Sequence, residues 1–315
     1  TLPHNKVYEI IRYYSLMYFH MDIEKILRNG RMVRALLGIT RQEFLELLPT
    51  FTQVMREMAE SKKRIRGIGG GANGKIKSAR RKLFFILLYV KTYPTFDVAA
   101  FMFASSKSRT QHWAHRILPL LEKTLGRKVV LPKRRINTPE EFLAAFPGVK
   151  EVMIDGVERP TIRSRNDKTQ RKHYSGKKKR HMRKNIVITD RKKRILVLTP
   201  SKHGKVHDKK LSDKALVVMR LPHEVALLAD TGFMGITKQH PNTLIPDKKP
   251  PRGFLSESDK AMNRLISSCR MVVEHAIGGM KRFRSVSDTY RNKNGFDDQL
   301  VNVAAGLWNF HIQMT

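Results

Sequence analysis

Residues 152–157 read VMIDGV, a short apolar run that reaches Asp155 and is followed at once by Gly156. A short apolar run closed by a turn residue is a strand signal. A carboxylate at the end of a strand fits poorly in a core. It fits well at a sheet edge that faces a site. Working outward from Asp155, the same pattern recurs. NIVITD (185–190) and RILVLTP (194–200) read as two more strands joined by a tight basic turn. EVALLAD (224–230) is a further strand that ends on Asp230, and Thr231-Gly232 lets the chain turn away. HDKKLSDKALVVM (207–219) reads as a helix. A long helix follows, with Ser256 as N-cap and Asp259 three residues on. FDDQLVNVAAGLWNFHIQM (296–314) is a final helix. The order β, β, β, α, β, α predicts an α/β domain over residues 147–315 with a mixed sheet.

Upstream of residue 147 the periodicity is helical. Residues 1–60 contain VYEIIRYYSLMYF and TRQEFLELLPTFTQVMREM; in the second, Thr40 is an N-cap and Glu43 completes a capping box. Residues 61–146 form a second region, which begins in a basic break. From Glu60 to Lys82 there are nine basic residues, including Arg64 and Arg66, against one acidic, and Gly69-Gly70-Gly71 forbids a stable helix. Two readings stay open for this break: a solvated linker, or a basic arm that lies along phosphates. LFFILLYVKTY, TFDVAAFMF, ASSKS and RTQHWAHRILPLLEKTLG then read as buried helix, short helix, polar turn and longer helix. That is the order of a helix-turn-helix module, with Lys107, Arg109 and Gln111 at the start of its last helix. These side-chain types reach phosphates and base edges, although a purely structural helical domain gives the same pattern.

The charge narrows the function. The 315 residues carry 62 Lys and Arg against 27 Asp and Glu, a formal +35. Such an excess points to a polyanion, most simply nucleic acid. From Val157 to Lys210 there are 20 basic and 4 acidic residues, a net +16, centred on RKHYSGKKKRHMRK, which contains Lys177, Lys178, Lys179 and Arg180. Cys269 is the single cysteine, so no internal disulfide forms. No signal-peptide pattern is visible, and the longest apolar run, LFFILLYV, is too short to span a bilayer. A cytoplasmic location is expected.

The chemistry is carried by carboxylates. In SSCRMVVEHAIGGMKRF (267–283), Arg270, Glu274 and Lys281 are four and seven residues apart, close to whole helical turns. On a helical wheel Asn263, Ser267, Arg270 and Lys281 share the side of Glu274, while Leu265, Cys269, Val272, Val273, Ala276, Met280 and Phe283 form the opposite, buried side. Asp155, Asp230 and Glu274 suit a hard cation such as Mg²⁺, and two such ions clamp the attacking and leaving oxygens of a phosphodiester. Arg270 and Lys281 then hold phosphate or balance charge. A turn-forming Asp and an ordinary helical ion pair are the plainer alternatives. No zinc spacing and no P-loop are present.

DGVERP around Asp155, GKVHDKK around His207 and Asp208, ADTGFMG around Asp230 and ISSCRMVVEHAIGGMKRFR around Glu274 together resemble bacterial insertion-sequence transposases of the DDE superfamily, in the group related to eukaryotic Harbinger transposases. The resemblance covers almost the whole chain. GGGANGKIK also resembles the segment these proteins place before a helix-turn-helix. The resemblance implies a catalytic and metal-binding triad of Asp155, Asp230 and Glu274 in a ribonuclease H-like domain. The family pattern Y-x2-R-x3-E-x6-K matches at Arg270, Glu274 and Lys281, with Ser267 in place of the Tyr. It further implies two Mg²⁺ ions, with Mn²⁺ as substitute, and His207 and Asp208 beside the site; Asn263 is expected there from its place on the Glu274 side of the helix. Binding of terminal inverted repeats, cleavage, strand transfer into target DNA and a homodimer or larger assembly at the bacterial nucleoid are its functional expectations. A domesticated DNA-binding protein and a ribonuclease H-like nuclease without strand transfer are the alternatives.

Overall fold

The computed structural model describes residues 21–61, 76–249, 253–292 and 295–315. The helix expected in 7–19, the Gly69–Gly71 break, Arg64 and Arg66 lie outside the described residues. The chain forms two compact units, Thr1–Arg127 and Lys128–Thr315.

The described part of the first unit is helical: α1 (Ile23–Arg28), α2 (Gly30–Leu37), α3 (Arg41–Glu60), α4 (Ala79–Thr92), α5 (Phe96–Met102) and α6 (Lys107–Arg127). Local cap chemistry sets where α3 begins. The Glu43 N–H donates to Thr40 Oγ1 at 3.1 Å, and the Thr40 N–H donates to Glu43 Oε2 at 2.7 Å. Leu83–Val90 of α4 is apolar all round and buried throughout, so α4 is the central helix, packed on α2, α3 and α6. α5 lies against α6, where Thr110 Oγ1 donates to the Phe96 carbonyl at 3.0 Å.

The second unit is α/β. After α7 (Pro139–Ala145) come β1 (Glu151–Pro160), α8 (Asp167–His173), β2 (Tyr174–Ser175), β3 (Arg180–Asp190), β4 (Ile195–Leu198), β5 (Lys202–His203) and α9 (Asp208–Ala215). Then follow β6 (Ala226–Leu228), β7 (Thr243–Leu244), α10 (Glu257–Lys281), α11 (Arg284–Ser287) and α12 (Phe296–Met314). β3 is antiparallel to β1 on one side and to β4 and β5 on the other. β1 is parallel to β6, and β6 is parallel to β7. Val152 and Ile154 of β1, Ile186 and Ile188 of β3, and Leu211 of α9 share one core. α10 packs against β1, β3 and β6.

Three expectations from the sequence shift here. The helix expected over 207–219 stops at Ala215, because Leu216 takes a left-handed backbone with φ 53°. β1 and β3 run beyond their apolar cores, through Glu158–Pro160 and Arg180–Lys184, because charged residues there are paired, Lys184 with Glu158 across the strands and Arg159 with Asp297 of α12. The apolar side expected on α10 is buried at Val273, Ala276 and Met280, whereas Leu265 is 58% exposed.

Candidate active site

Asp155 and Asp230 are brought level by strand register. β1 and β6 are parallel, with Met153 paired to Leu228. Two residues further along each chain stand Asp155 and Asp230. Each aspartate bonds the backbone just after it. Gly156 N–H donates to Asp155 Oδ1 at 2.6 Å, and Thr231 N–H donates to Asp230 Oδ1 at 2.6 Å. This fixes one oxygen of each carboxylate, and the other oxygen of Asp230 faces Arg270. Asp230 also caps the short 3-10 turn at Thr231–Phe233, which carries the chain away from the sheet.

α10 supplies the cations. Arg270 Nη2 lies 3.4 Å from Asp230 Oδ2. The Arg270 charge also lowers the proton affinity of Asp155. Its Nε is buried and makes no hydrogen bond among the described residues. Lys281 is half-buried, and the charges of Asp155 and Glu158 act on it. Burial, reinforced by the charge of Lys178, holds the Lys281 ammonium below the usual lysine range. Glu274 stands one helical turn after Arg270, on the same face, and is exposed. Among the described residues, no three His, Cys, Asp or Glu side chains stand close enough to hold a metal ion.

Burial pushes the Asp155 carboxyl above the ordinary carboxylate range. The Gly156 N–H and Arg270 oppose that rise, while the negative charges of Asp208 and Asp230 add to it. The chemistry of the donors fits a hard divalent cation: the site offers carboxylate oxygens, and a cation would relieve both the burial and the like-charge repulsion.

Asp208, the first residue of α9, lies against Gly156. A Cβ on Gly156 would meet Asp208 Oδ1 at 2.6 Å and its Cγ at 2.7 Å. Gly156 is therefore needed for close approach rather than for an unusual backbone. Lys184 of β3 ties the arrangement together, with Nζ 3.3 Å from Asp208 Oδ1 and 2.8 Å from Glu158 Oε1. His207 precedes α9, is exposed, and makes no side-chain cap. Asn263 is held elsewhere. It bonds the backbone of Asp247 in both directions, at 2.8 and 2.9 Å, three turns of α10 before Glu274.

Sequence reasoning missed a buried ionic cluster behind the site. Arg159, 2% exposed, donates to Asn185 Oδ1 at 2.9 Å, Ser201 Oγ at 2.7 Å and Asp297 Oδ2 at 3.0 Å. Arg183 Nε joins Asp297 Oδ2 at 2.8 Å. This links the end of β1 to the start of α12 across 138 positions. The signal in the sequence was an Arg in a strand and an Asp in the first turn of a helix, and each reads as a surface residue when taken alone.

Away from α10, the basic residues expected at DNA are exposed where the structure describes them. Lys177, Lys178 and Lys179 form the turn between β2 and β3, and Arg180 opens β3. In the first unit, Arg109 and Gln111 are exposed near the start of α6, while Lys107 pairs with Asp97 at 2.9 Å. No helix among the described residues is long and apolar enough to cross a membrane.

Residues 154–309 match the family described as DDE superfamily endonuclease. The chain is 27% identical over 296 residues to the probable transposase for insertion sequence element IS702 of Microchaete diplosiphon, covering 93% of this chain and 99% of that protein. No solved structure matches.

Proposed function

For a chain related to the bacterial insertion-sequence DDE transposases, we propose that it binds the terminal inverted repeats of its own element, cleaves phosphodiesters at those ends and transfers the ends to target DNA. The observation that carries the reading is the parallel register that sets Asp155 beside Asp230, with Arg270 of α10 paired to Asp230. The strand order β4-β3-β1-β6-β7, antiparallel up to β1 and parallel after it, supports a ribonuclease H-like catalytic unit. The pairing of α5 with α6 across the short turn at 103–106 supports a helix-turn-helix that presents Arg109 and Gln111 to DNA.

Asp155 and Asp230 would hold two Mg²⁺ ions, with Mn²⁺ able to substitute, and Glu274, which forms no three-acid group with them in this structure, would complete the set on DNA. When bound, these ions would activate the attacking oxygen and stabilise the leaving one. Arg270, half-buried beside Asp230, binds the phosphate next to the reacting bond. Lys281, partly desolvated, gives a second positive contact whose strength in water is limited by hydration. The Gly156 and Thr231 N–H groups orient the aspartate oxygens. Asp208 and Lys184 hold the neighbouring backbone in place. The basic turn at Lys177–Arg180 carries the strand across the unit. Two copies working as a homodimer or larger assembly on DNA at the nucleoid are part of this proposal.

The test is Glu274→Gln. The variant should bind end DNA with wild-type affinity and lose cleavage by at least about 10³-fold, the scale expected when an essential active-site group is lost. Wild-type cleavage by Glu274→Gln would remove Glu274 from the catalytic set.

A further inference from the structure

The second unit holds a cleft of about 330 Å³ that the acid site does not use. Arg134, Arg135, Lys202, Lys214 and Arg220 line it, and none of its lining residues is acidic. Two of these cations are already engaged: Arg134 with Asp298 at 2.6 Å, and Arg220 with the Ile136 carbonyl at 2.9 Å. Arg135, Lys202 and Lys214 stand exposed at the rim. The floor is apolar and includes Ile136 and Leu211, both buried in the core. A bare phosphate would satisfy the rim and leave this floor unused. A ligand with both an anionic and a flat apolar part uses both, and the volume is at the small end of ligand pockets.

The place of the cleft in the fold identifies the source of such a ligand. Asp208 opens α9 beside Gly156, and Lys214 and Ala215 close the same helix at the cleft. Eight residues of helix span about 12 Å. Lys202 of β5 pairs in register with Lys184, whose ammonium bonds Asp208. Cleft and acid site are therefore joined by one helix and one strand pair, within a few nucleotides of each other along a DNA strand. We propose that this cleft holds one unpaired nucleotide of the DNA strand that is processed at the acid site. Its base rests on the apolar floor, and its phosphate lies among Arg135, Lys202 and Lys214. The inference rests on the transposase reading and adds a subsite to it.

The test uses the full chain and two duplexes, one blunt and one with a short single-stranded flank carrying 2-aminopurine at one flank position at a time. The expected result is an emission change at a single flank position. In Lys214→Glu that change should disappear, and affinity for the flanked duplex should fall about tenfold more than affinity for the blunt one. Ala215→Phe, which narrows the cleft without changing charge, should lose the emission change with the blunt-duplex affinity intact; thermal melting checks that both variants fold. Equal losses on both duplexes would overturn the proposal and leave only a general positive field. Competition by a free deoxynucleoside monophosphate, with no flank preference, would overturn the strand as the source. Because binding is read without catalysis, an absence of cleavage in the end-cleavage assay would count against the transposase reading and leave this result standing.

Discussion

Arg270 Nη2 lies 3.4 Å from Asp230 Oδ2, and that aspartate is 40% exposed at its side chain. The arginine is 17% exposed, but its partner is open to water and the contact is long, so the pair contributes about 0–1 kcal/mol to stability. The pair thus contributes little to the fold, and its position is better explained by what else an arginine can bind there. Arg270→Ala should leave the melting temperature within about 2 °C, and should slow cleavage of end DNA by roughly 10- to 100-fold, the loss of one charge-assisted phosphate contact. A large fall in melting temperature with unchanged turnover per folded molecule would make Arg270 a structural residue.

The Asp155 carboxyl has its proton affinity raised by burial, and Asp208 and Asp230 add to the rise. A raised folded-state value means that the fold favours the protonated form. That contribution is fully present below the unfolded-state carboxylate range and is lost as pH rises through the folded value. At neutral pH without metal, the charged Asp155 is therefore a cost to stability. Asp155→Asn should melt about 2–4 °C higher than the wild type at pH 7, with the gain vanishing in acid. Added Mg²⁺ should stabilise the wild type more than the variant. Calorimetry across pH, with and without Mg²⁺, measures both effects. A variant that melts lower at pH 7 would contradict this account of Asp155.

Gly156 gives way to Asp208, since a Cβ there would stand 2.6 Å from Oδ1. Gly156→Ala should cost about 1–3 kcal/mol through overpacking. Asp208→Ala in the same chain should recover part of that loss, a coupling that a double-mutant cycle reads directly. Additive losses would mean that the contact does not exist in solution.

Asp297 is fully buried and bonds both Arg159 and Arg183. Removing one partner of a buried pair strands the other charge and costs about 3–5 kcal/mol. Asp297→Ala should therefore unfold the second unit at a much lower denaturant concentration, and Asp297→Asn should do less harm. Chemical denaturation of the two variants separates these outcomes.

The exposed lysines of the β2–β3 turn predict a steep response to salt. Binding of end DNA should weaken by about 10³-fold or more between 50 and 200 mM salt if six or more phosphates are neutralised. Replacing Lys177, Lys178 and Lys179 together by Ala should reduce the slope by about 2–3. A flat response would remove the basic turn from the interface.

Much of this was legible in the sequence where the signal is local. The capping boxes at Thr40 with Glu43 and at Ser256 with Asp259 each lie within three residues, and both helices start there. The apolar runs that lead to Asp155 and Asp230 read as strands, and those strands pair in parallel, although Asp155 stands inside β1 and β6 stops at Leu228, two residues before Asp230. What was hidden depends on distant partners. Arg159 and Lys184 lie in strands because Asp297 and Glu158 neutralise them in the core, which no hydrophobic pattern reveals. The segment between β1 and β3 was hidden by its own charge, so α8 and β2 had no apolar periodicity to announce them. Asn263 lies on the expected helix face, but a wheel shows only direction. Its position along the helix places it at Asp247 instead.

The central claim is tested most directly by incubating purified protein and Mg²⁺ with labelled duplexes taken from the junctions of its element, together with target DNA, and mapping every strand break and every joined product. The account predicts breaks at the element ends and their covalent joining to target DNA. Scattered nicks with no joining, or specific binding with no breaks, would contradict it.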